Sequence, residues 1–237
     1  MSCSAQNPGR TSQAIPVIAI DGPVGSGKGT ISTQLAARLQ WHLMDSGALY
    51  RLIAIAALDA GTDPDDQDAL TAIATKLDFE FRQSDGESIP YLSGRDVSGR
   101  LRSELVSNMA SRVAAITTVR AAMIERQRGF ARPPGLVADG RDMGTVIFPH
   151  ANLKIFLTAS VETRALRRYK QLKEKGENVN LSRLFTEIEA RDARDQTRSV
   201  APLRPADDAV IIDSTESSIK EVLERIYKLV EERSITS

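Results

Sequence analysis

Nine residues constrain this chain more than any others: Gly22-Pro23-Val24-Gly25-Ser26-Gly27-Lys28-Gly29-Thr30. The preceding Ile15-Pro16-Val17-Ile18-Ala19-Ile20 is a short apolar run of the kind that forms a buried parallel strand. Beyond the glycines, Ile31, Leu35 and Leu39 recur every four residues with Ala36 beside them, one face of a helix. The glycines therefore occupy a strand-to-helix turn, where an anion meets backbone N–H groups and the positive end of a helix. A Cβ would keep that backbone from closing round the anion, and Lys28 reaches the outer phosphates. Gly-x4-Gly-Lys in this setting reads as a phosphate-binding loop. A Gly-rich turn without a ligand needs neither three close glycines nor a lysine. The dinucleotide fingerprint fits less well: Gly25, Gly27 and Asp45 match it, but Thr30 stands where its third glycine belongs. A Ser or Thr usually follows the lysine directly, to touch Mg²⁺. Here Gly29 intervenes, which leaves Thr30 for the metal, a phosphate or both.

At 237 residues the chain amounts to about 1.6 average domains, consistent with one core plus an insertion. Hydrophobic residues make up 41%, enough for a proper core. Lys plus Arg equals Asp plus Glu at 31 each, so no global field favours nucleic-acid polymers, and an anion site has to be built locally. The one cysteine, Cys3, excludes internal disulfides and a Cys-type zinc site, and suits a reducing, cytoplasmic compartment. The first fourteen residues are polar, read as a disordered tail rather than a signal peptide. No apolar run approaches the ~20 residues of a membrane span. With only His42 and His150, histidine-centred acid–base chemistry is disfavoured.

A short strand over 41–44 ends at Asp45, Ser46 and Gly47, and in an open parallel sheet such strand ends face the ligand crevice. Tyr50 and Arg51 fall in the first turns of the helix that follows, as site residues or as core packing and a solvated face respectively. From about Thr62 to Leu101 the texture changes. Phe79-Glu80-Phe81 alternates with period two, Ser84-Asp85-Gly86 reads as a turn and Ile89–Leu92 as a second strand, so small antiparallel strands interrupt the α/β pattern. Leu105, Met109, Val113 and Ile116 mark one helix face; Thr117-Thr118 is expected to cap the next helix, on which Arg120, Arg126, Arg128 and Arg132 read as the usual polar face, with an inward-pointing Arg120 near the helix start as the alternative. Leu136–Asp139 is a core strand ending in an acid, as in the metal-linked second motif of phosphate-loop proteins. Gly140-Arg141-Asp142-Met143-Gly144-Thr145 leaves it on the ligand side, where Arg141 and Asp142 are site candidates or a pair that stabilises the loop. Residues 163–198 form an arginine-rich helical hairpin. Arg191, Arg194 and Arg198 share a face by spacing, with Asp195 alongside. The plain reading is a solvated helix with an Arg191–Asp195 pair; beside a phosphate loop, the hairpin reads as a lid.

Taken together these motifs resemble the bacterial cytidylate kinases, within the nucleoside monophosphate kinases, over about Ile15 to Val230. The marks are Ile20-Asp21-Gly22-Pro23, Gly27-Lys28-Gly29-Thr30, Asp45-Ser46-Gly47-Ala48-Leu49-Tyr50-Arg51, Ala138–Thr145, Arg191–Asp195 and Ala201-Pro202-Leu203. The resemblance implies an α/β P-loop three-layer fold with a five-stranded parallel core, over residues 15–61, 102–162 and 199–237. Residues 62–101 would be the inserted part of the monophosphate-binding region and 163–198 the lid. It implies ATP-dependent phosphorylation of CMP or dCMP with Mg²⁺. Gly22 to Thr30 would hold ATP, and Ser111, Arg120 and Asp142 would read cytosine. Arg51, Arg141 and Arg191 would hold the acceptor phosphate, and Asp195 and Tyr50 the sugar, with Asp45 and Ser46 at the same strand end. Lys28, Arg141, Arg191, Arg194 and Arg198 would act on the transferred group, and Thr30 on the metal. A cytoplasmic monomer is expected, without nucleic-acid polymer or membrane as partner. UMP or AMP as acceptor, and a nucleotide-dependent switch, are the competing readings; the absence of an Asn-Lys-x-Asp motif counts against a guanine-reading switch.

Overall fold

The computed structural model describes residues 15–84, 87–101, 103–174 and 176–235. The expected tail, and Asp85-Gly86 of the expected turn, lie outside the described residues. Strand β1 (Val17–Asp21) runs through the glycine loop into α1 (Lys28–Leu39), followed by β2 (His42–Asp45) and α2 (Ser46–Asp59). Then come α3 (Gln67–Lys76), β3 (Phe79–Ser84), β4 (Glu87–Leu92), β5 (Arg95–Asp96) and α4 (Ser98–Leu101). Helices α5 (Glu104–Val113) and α6 (Thr117–Arg128) lead back to β6 (Leu136–Gly140). A π-helical turn (Met143–Ile147), β7 (Leu153–Thr158), α7 (Val161–Glu174), α8 (Leu181–Thr197), β8 (Val210–Asp213) and α9 (Ile219–Glu232) complete the chain.

The larger sheet has five parallel strands in the order β2-β6-β1-β7-β8, as the α/β P-loop reading requires. Its central strand is buried at every position, and its side chains alternate between two cores. Val17 and Ala19 join the layer of α2, α5 and α6, while Ile18 and Ile20 join the layer built with Ile31 and Leu35 of α1 and Val222 and Ile226 of α9. Period-two alternation on a strand covered on both faces yields a three-layer fold. Each fully buried Ile or Leu here contributes roughly 1.5–3 kcal/mol. Because the strands are parallel, the carboxyl ends of β1, β2 and β6 meet at one edge, where Asp21 registers with Gly140 and Asp45 with Asp139.

The predicted antiparallel strands form a separate sheet, β3-β4-β5. Phe79 and Phe81 stack edge-on at 5.9 Å, and Phe81 meets Phe130 beyond α6 at 6.3 Å, which ties the insertion to the main core.

Three local expectations are corrected. Thr117 and Thr118 do not cap α6: its N-cap is Ile116, with no side-chain cap bond, and the helix begins at Thr117 itself. Leu105 is 66% exposed, and the buried seam of α5 is Val106, Met109, Ala110 and Val113. Leu105 sits one residue, about 100° of helix, away from Val106 on that seam. The strand end expected over Asp45–Gly47 is shorter: β2 stops at Asp45, and Ser46 and Gly47 already belong to α2, because the Asp45 side chain accepts the Ala48 N–H at 3.0 Å and caps that helix directly. No helix among the described residues is long and apolar enough to cross a membrane.

Candidate active site

The glycine loop closes as its sequence requires. Gly25 and Gly27 have φ of 78° and 91°, a region open to glycine and strained for other residues. At Gly22 an added Cβ would lie 2.0 Å from the Leu157 carbonyl oxygen, so the chain leaves β1 where no side chain fits. Three loop carbonyls are held by cations: Pro23 O by Lys28 Nζ at 3.1 Å, Val24 O by Arg164 Nη1 at 3.1 Å, and Ser26 O by Arg167 Nη1 at 3.3 Å. With those carbonyls engaged, and with the first-turn amides of α1 lacking intrahelical partners, the loop is a nest of N–H donors for an anion. The Ser26 hydroxyl is buried without a partner, and Thr30 is exposed at the helix start. Asp139 stands against that start: a Cβ on Gly29 would lie 3.4 Å from its Oδ2, and its Oδ1 is buried and unpartnered.

Across the sheet edge a second group of side chains converges from separate segments. Arg141, just past β6, donates through Nε to Asp195 of α8 at 3.0 Å. The Arg191–Asp195 pair of the plain helical reading does not form as the close contact; Asp195 turns toward the core instead. Arg120 of α6 and Asp142 make a buried ion pair, which explains why Arg120 points inward. Arg198, at the end of α8, brings Nη2 to 3.8 Å from Asp142 Oδ1, too far for a hydrogen bond. Arg51 lies 3.8 Å from Asp45 at the mouth. Ser46 donates to Gln127 Oε1 at 2.7 Å, so its hydroxyl is committed to α6. Three buried polar atoms here have no partner, Tyr50 OH, Arg191 Nε and Arg198 Nη2, and Ser111 Oγ on α5 is likewise buried and unpartnered. Buried polar groups are nearly always bonded, so these mark a place where a polar ligand belongs. Arg194 is exposed, while Arg191 and Arg198 on either side of it are half-buried, Arg191 beside Arg141 and Asp195 and Arg198 beside Arg120 and Asp142.

The electrostatics run the same way. Burial pushes the Lys28 ammonium down to about 7; Arg141 adds to the shift and Asp139 opposes it. Burial, then Arg141, lowers the Arg191 guanidinium to about 10. Burial raises the Asp139 carboxyl to about 6 against the pull of Lys28. For Asp195, burial works upward but Arg141 and Arg191 outweigh it, and its carboxyl stays below the ordinary range. Burial and the neighbouring Arg141 thus make the charges of Lys28 and Arg191 costly, which an anion in the crevice would relieve.

A model of the family described as Cytidylate kinase matches residues 18–232. The chain belongs to the cytidylate kinase family. It is 54% identical over 217 residues to the protein named Cytidylate kinase in Methylococcus capsulatus, a match covering 92% of this chain and 97% of that one. It is 55% identical over 217 residues to the protein of that name in Pseudomonas aeruginosa, covering 91% of this chain and 95% of that one. Membership makes it an ATP-dependent phosphoryl-transfer enzyme.

Sequence reasoning missed several residues of this kinase's site. Arg164 and Arg167 stood in a run of basic residues with nothing to distinguish them from a solvated face. Yet Arg164 is buried, pairs with Asp192 at 2.5 Å and holds Val24, while Arg167 holds Ser26 and Ser214. Gln127, the partner of Ser46, gave no signal beyond its place on α6. Asp21 was visible only as part of the Ile20–Pro23 motif.

Proposed function

We propose that the glycine loop and the arginine cluster are the donor and acceptor halves of one crevice, in which the γ-phosphate of ATP passes to CMP or dCMP. The observation that carries this reading is the gathering of buried Lys28 with half-buried Arg141 and Arg191, with Arg191 Nε, Arg198 Nη2, Tyr50 OH and Ser111 Oγ left unpartnered. The loop amides and Lys28 bind the donor phosphates. Arg51, Arg141 and Arg191 bind the acceptor phosphate, whose second pKa near ~6 makes it largely dianionic and a nucleophile that needs no base. Two anions then have to meet in line, and fixed cations stabilise the charge as it redistributes in a loose transition state. Arginine suits the acceptor side because its planar fork takes two phosphate oxygens at once. Arg120 and Asp142 present donors and an acceptor that match the edge of cytosine, while Asp195 and Tyr50 lie on the sugar side.

Residues 15–61, 102–162 and 199–237 serve as the core and 62–101 as the inserted part of the monophosphate-binding region. Residues 163–198 serve as the lid, which brings Arg191 and Arg198 to the transferred group and excludes water. Among the described residues there is no cluster of three metal-ligating side chains. Mg²⁺ keeps several waters and binds mainly to substrate phosphates with one or two protein oxygens. Thr30 and the unpartnered Asp139 Oδ1 would hold it, and when bound it neutralises charge on the donor phosphates. The enzyme is read as a monomer acting in the cytoplasm.

The test is an acceptor panel in an assay of ADP release. CMP and dCMP should be turned over fastest, with UMP and AMP well behind. Faster turnover of UMP or AMP would reassign the base-reading pair, and ATP consumption independent of any acceptor would favour a switch.

A further inference from the structure

Asp21 takes no part in that division of labour, yet its placement is unusual. It is the last residue of β1, buried, and immediately precedes Gly22 of the phosphate loop. Its Oδ1 accepts the Met143 N–H at 2.8 Å and its Oδ2 the Gly144 N–H at 2.8 Å. Those amides open the π-helical turn, and the residue just before them is Asp142, partner of Arg120. Among the described residues no cation bonds the Asp21 carboxylate; the charged groups that act on it are two further acids, Asp142 and Asp139. A carboxylate there is unfavourable on electrostatic grounds alone. What it offers is geometry, because two adjacent N–H groups need two acceptor oxygens at short reach, and an amide supplies one.

We infer that Asp21 is a positioning residue that holds the Asp142 turn at a fixed distance from the phosphate loop before either nucleotide binds. One strand end thereby sets both halves of the crevice: its backbone starts the donor loop at Gly22, packed against Leu157 without room for a Cβ, and its side chain anchors the acceptor-reading turn. In-line transfer needs this, since a misplacement of about 1 Å far from the reacting atoms can cost on the order of 10²-fold in rate. The inference rests on the reading that Arg120 and Asp142 recognise the acceptor base.

The near-isosteric Asp21→Asn variant keeps one acceptor and turns an NH₂ toward the second N–H. It should raise KM for CMP about tenfold or more and leave KM for ATP within about twofold, the signature of a displaced acceptor turn rather than a loosened fold. An equal rise in both, or in neither, overturns the role. Asp142→Ala runs beside it: if that change leaves KM for CMP unmoved, base reading by Asp142 fails. Amide exchange in the ligand-free wild type then decides the Asp21 role by itself, and does so too if Asp21→Asn does not fold. The Met143 and Gly144 amides should exchange slowly without ligand. Fast exchange that slows only when CMP is added would show that the acceptor, and not Asp21, forms the turn.

Discussion

The two halves of the crevice are built on opposite plans. In the proposed reading the donor half is nine consecutive residues whose backbone would do the binding, and side chains enter mainly to hold carbonyls and deliver one ammonium. The acceptor half we propose is all side chains: Arg51 and Tyr50 from α2, Ser111 from α5, Arg120 from α6, Arg141 and Asp142 past β6, and Arg191, Asp195 and Arg198 toward the end of α8. A backbone nest takes any polyphosphate, which is adequate for a donor. Choosing an acceptor needs directional groups from several elements, and their cost is visible in buried ion pairs and unpartnered atoms. Substitutions should therefore act differently in the two halves: in the donor half on turnover, in the acceptor half on stability and acceptor binding together.

The largest effect should come from cutting the buried acceptor pair. Arg120→Met leaves Asp142 charged and buried, and breaking such a pair typically destabilises by about 3–5 kcal/mol. Replacing both, Arg120→Met with Asp142→Leu, should recover much of that loss in a denaturant titration while abolishing CMP turnover. If the single change costs no stability, the acceptor half is not built on mutual burial. Next in size is Lys28→Met. It should lower turnover by about 10²–10³-fold, the scale of losing one preorganised donor to a transition-state anion. Its melting temperature should not fall, because Nζ bonds only the Pro23 carbonyl and its charge is disfavoured by burial. A variant that unfolds instead would mean that the donor half also depends on side-chain packing.

A smaller effect sharpens the comparison within one helix. Arg191→Met should reduce kcat/KM for CMP by about 10–100-fold, as expected for losing charged hydrogen bonds to the acceptor phosphate. Arg194→Met, on the exposed side, should stay within about threefold. Equal losses would show that α8 rotates on closing to bring Arg194 in, and that the acceptor half is completed by motion.

What the sequence made legible follows the same division. The phosphate loop could be read outright because its signal is contiguous: an apolar strand, spaced glycines, a lysine and a four-residue helical period. The alternation of Phe79 and Phe81 gave the small sheet for the same reason. Pairings across the fold were not legible. Spacing favoured Asp195 with Arg191 four residues away, but the carboxylate reaches Arg141, 54 residues distant, because the sheet edge places that guanidinium opposite α8. Spacing also put Arg194 with Arg191 and Arg198, although helix packing leaves it in solvent. Arg164 shares a basic run with Arg168 and Lys170, and its burial and tertiary contacts with Val24 and Asp192 set it apart. Ser111 and Arg120 came from family likeness rather than from any local pattern, since a serine or arginine on an amphipathic helix carries no sign of what it faces.

The junction of the two halves should also show itself in pH dependence. Burial raises the Asp21 carboxyl from 3.8 to about 7, with Asp142 and Asp139 pushing the same way against the two amide bonds. A folded-state pKa raised in this way means that the native protein binds the proton more tightly than the unfolded chain. The stabilisation it brings is complete below about pH 4 and disappears as pH rises through about 7. The wild type should accordingly lose stability relative to Asp21→Asn across that window, by no more than about 1.4 kcal/mol per pH unit for one carboxyl. The difference between the two denaturation curves isolates this group from the paired carboxylates elsewhere. A flat difference from pH 4 to 7 would mean that Asp21 is already ionised throughout, with its two amide bonds strong enough to offset burial. The link between donor loop and acceptor turn would then be tighter than its surroundings imply.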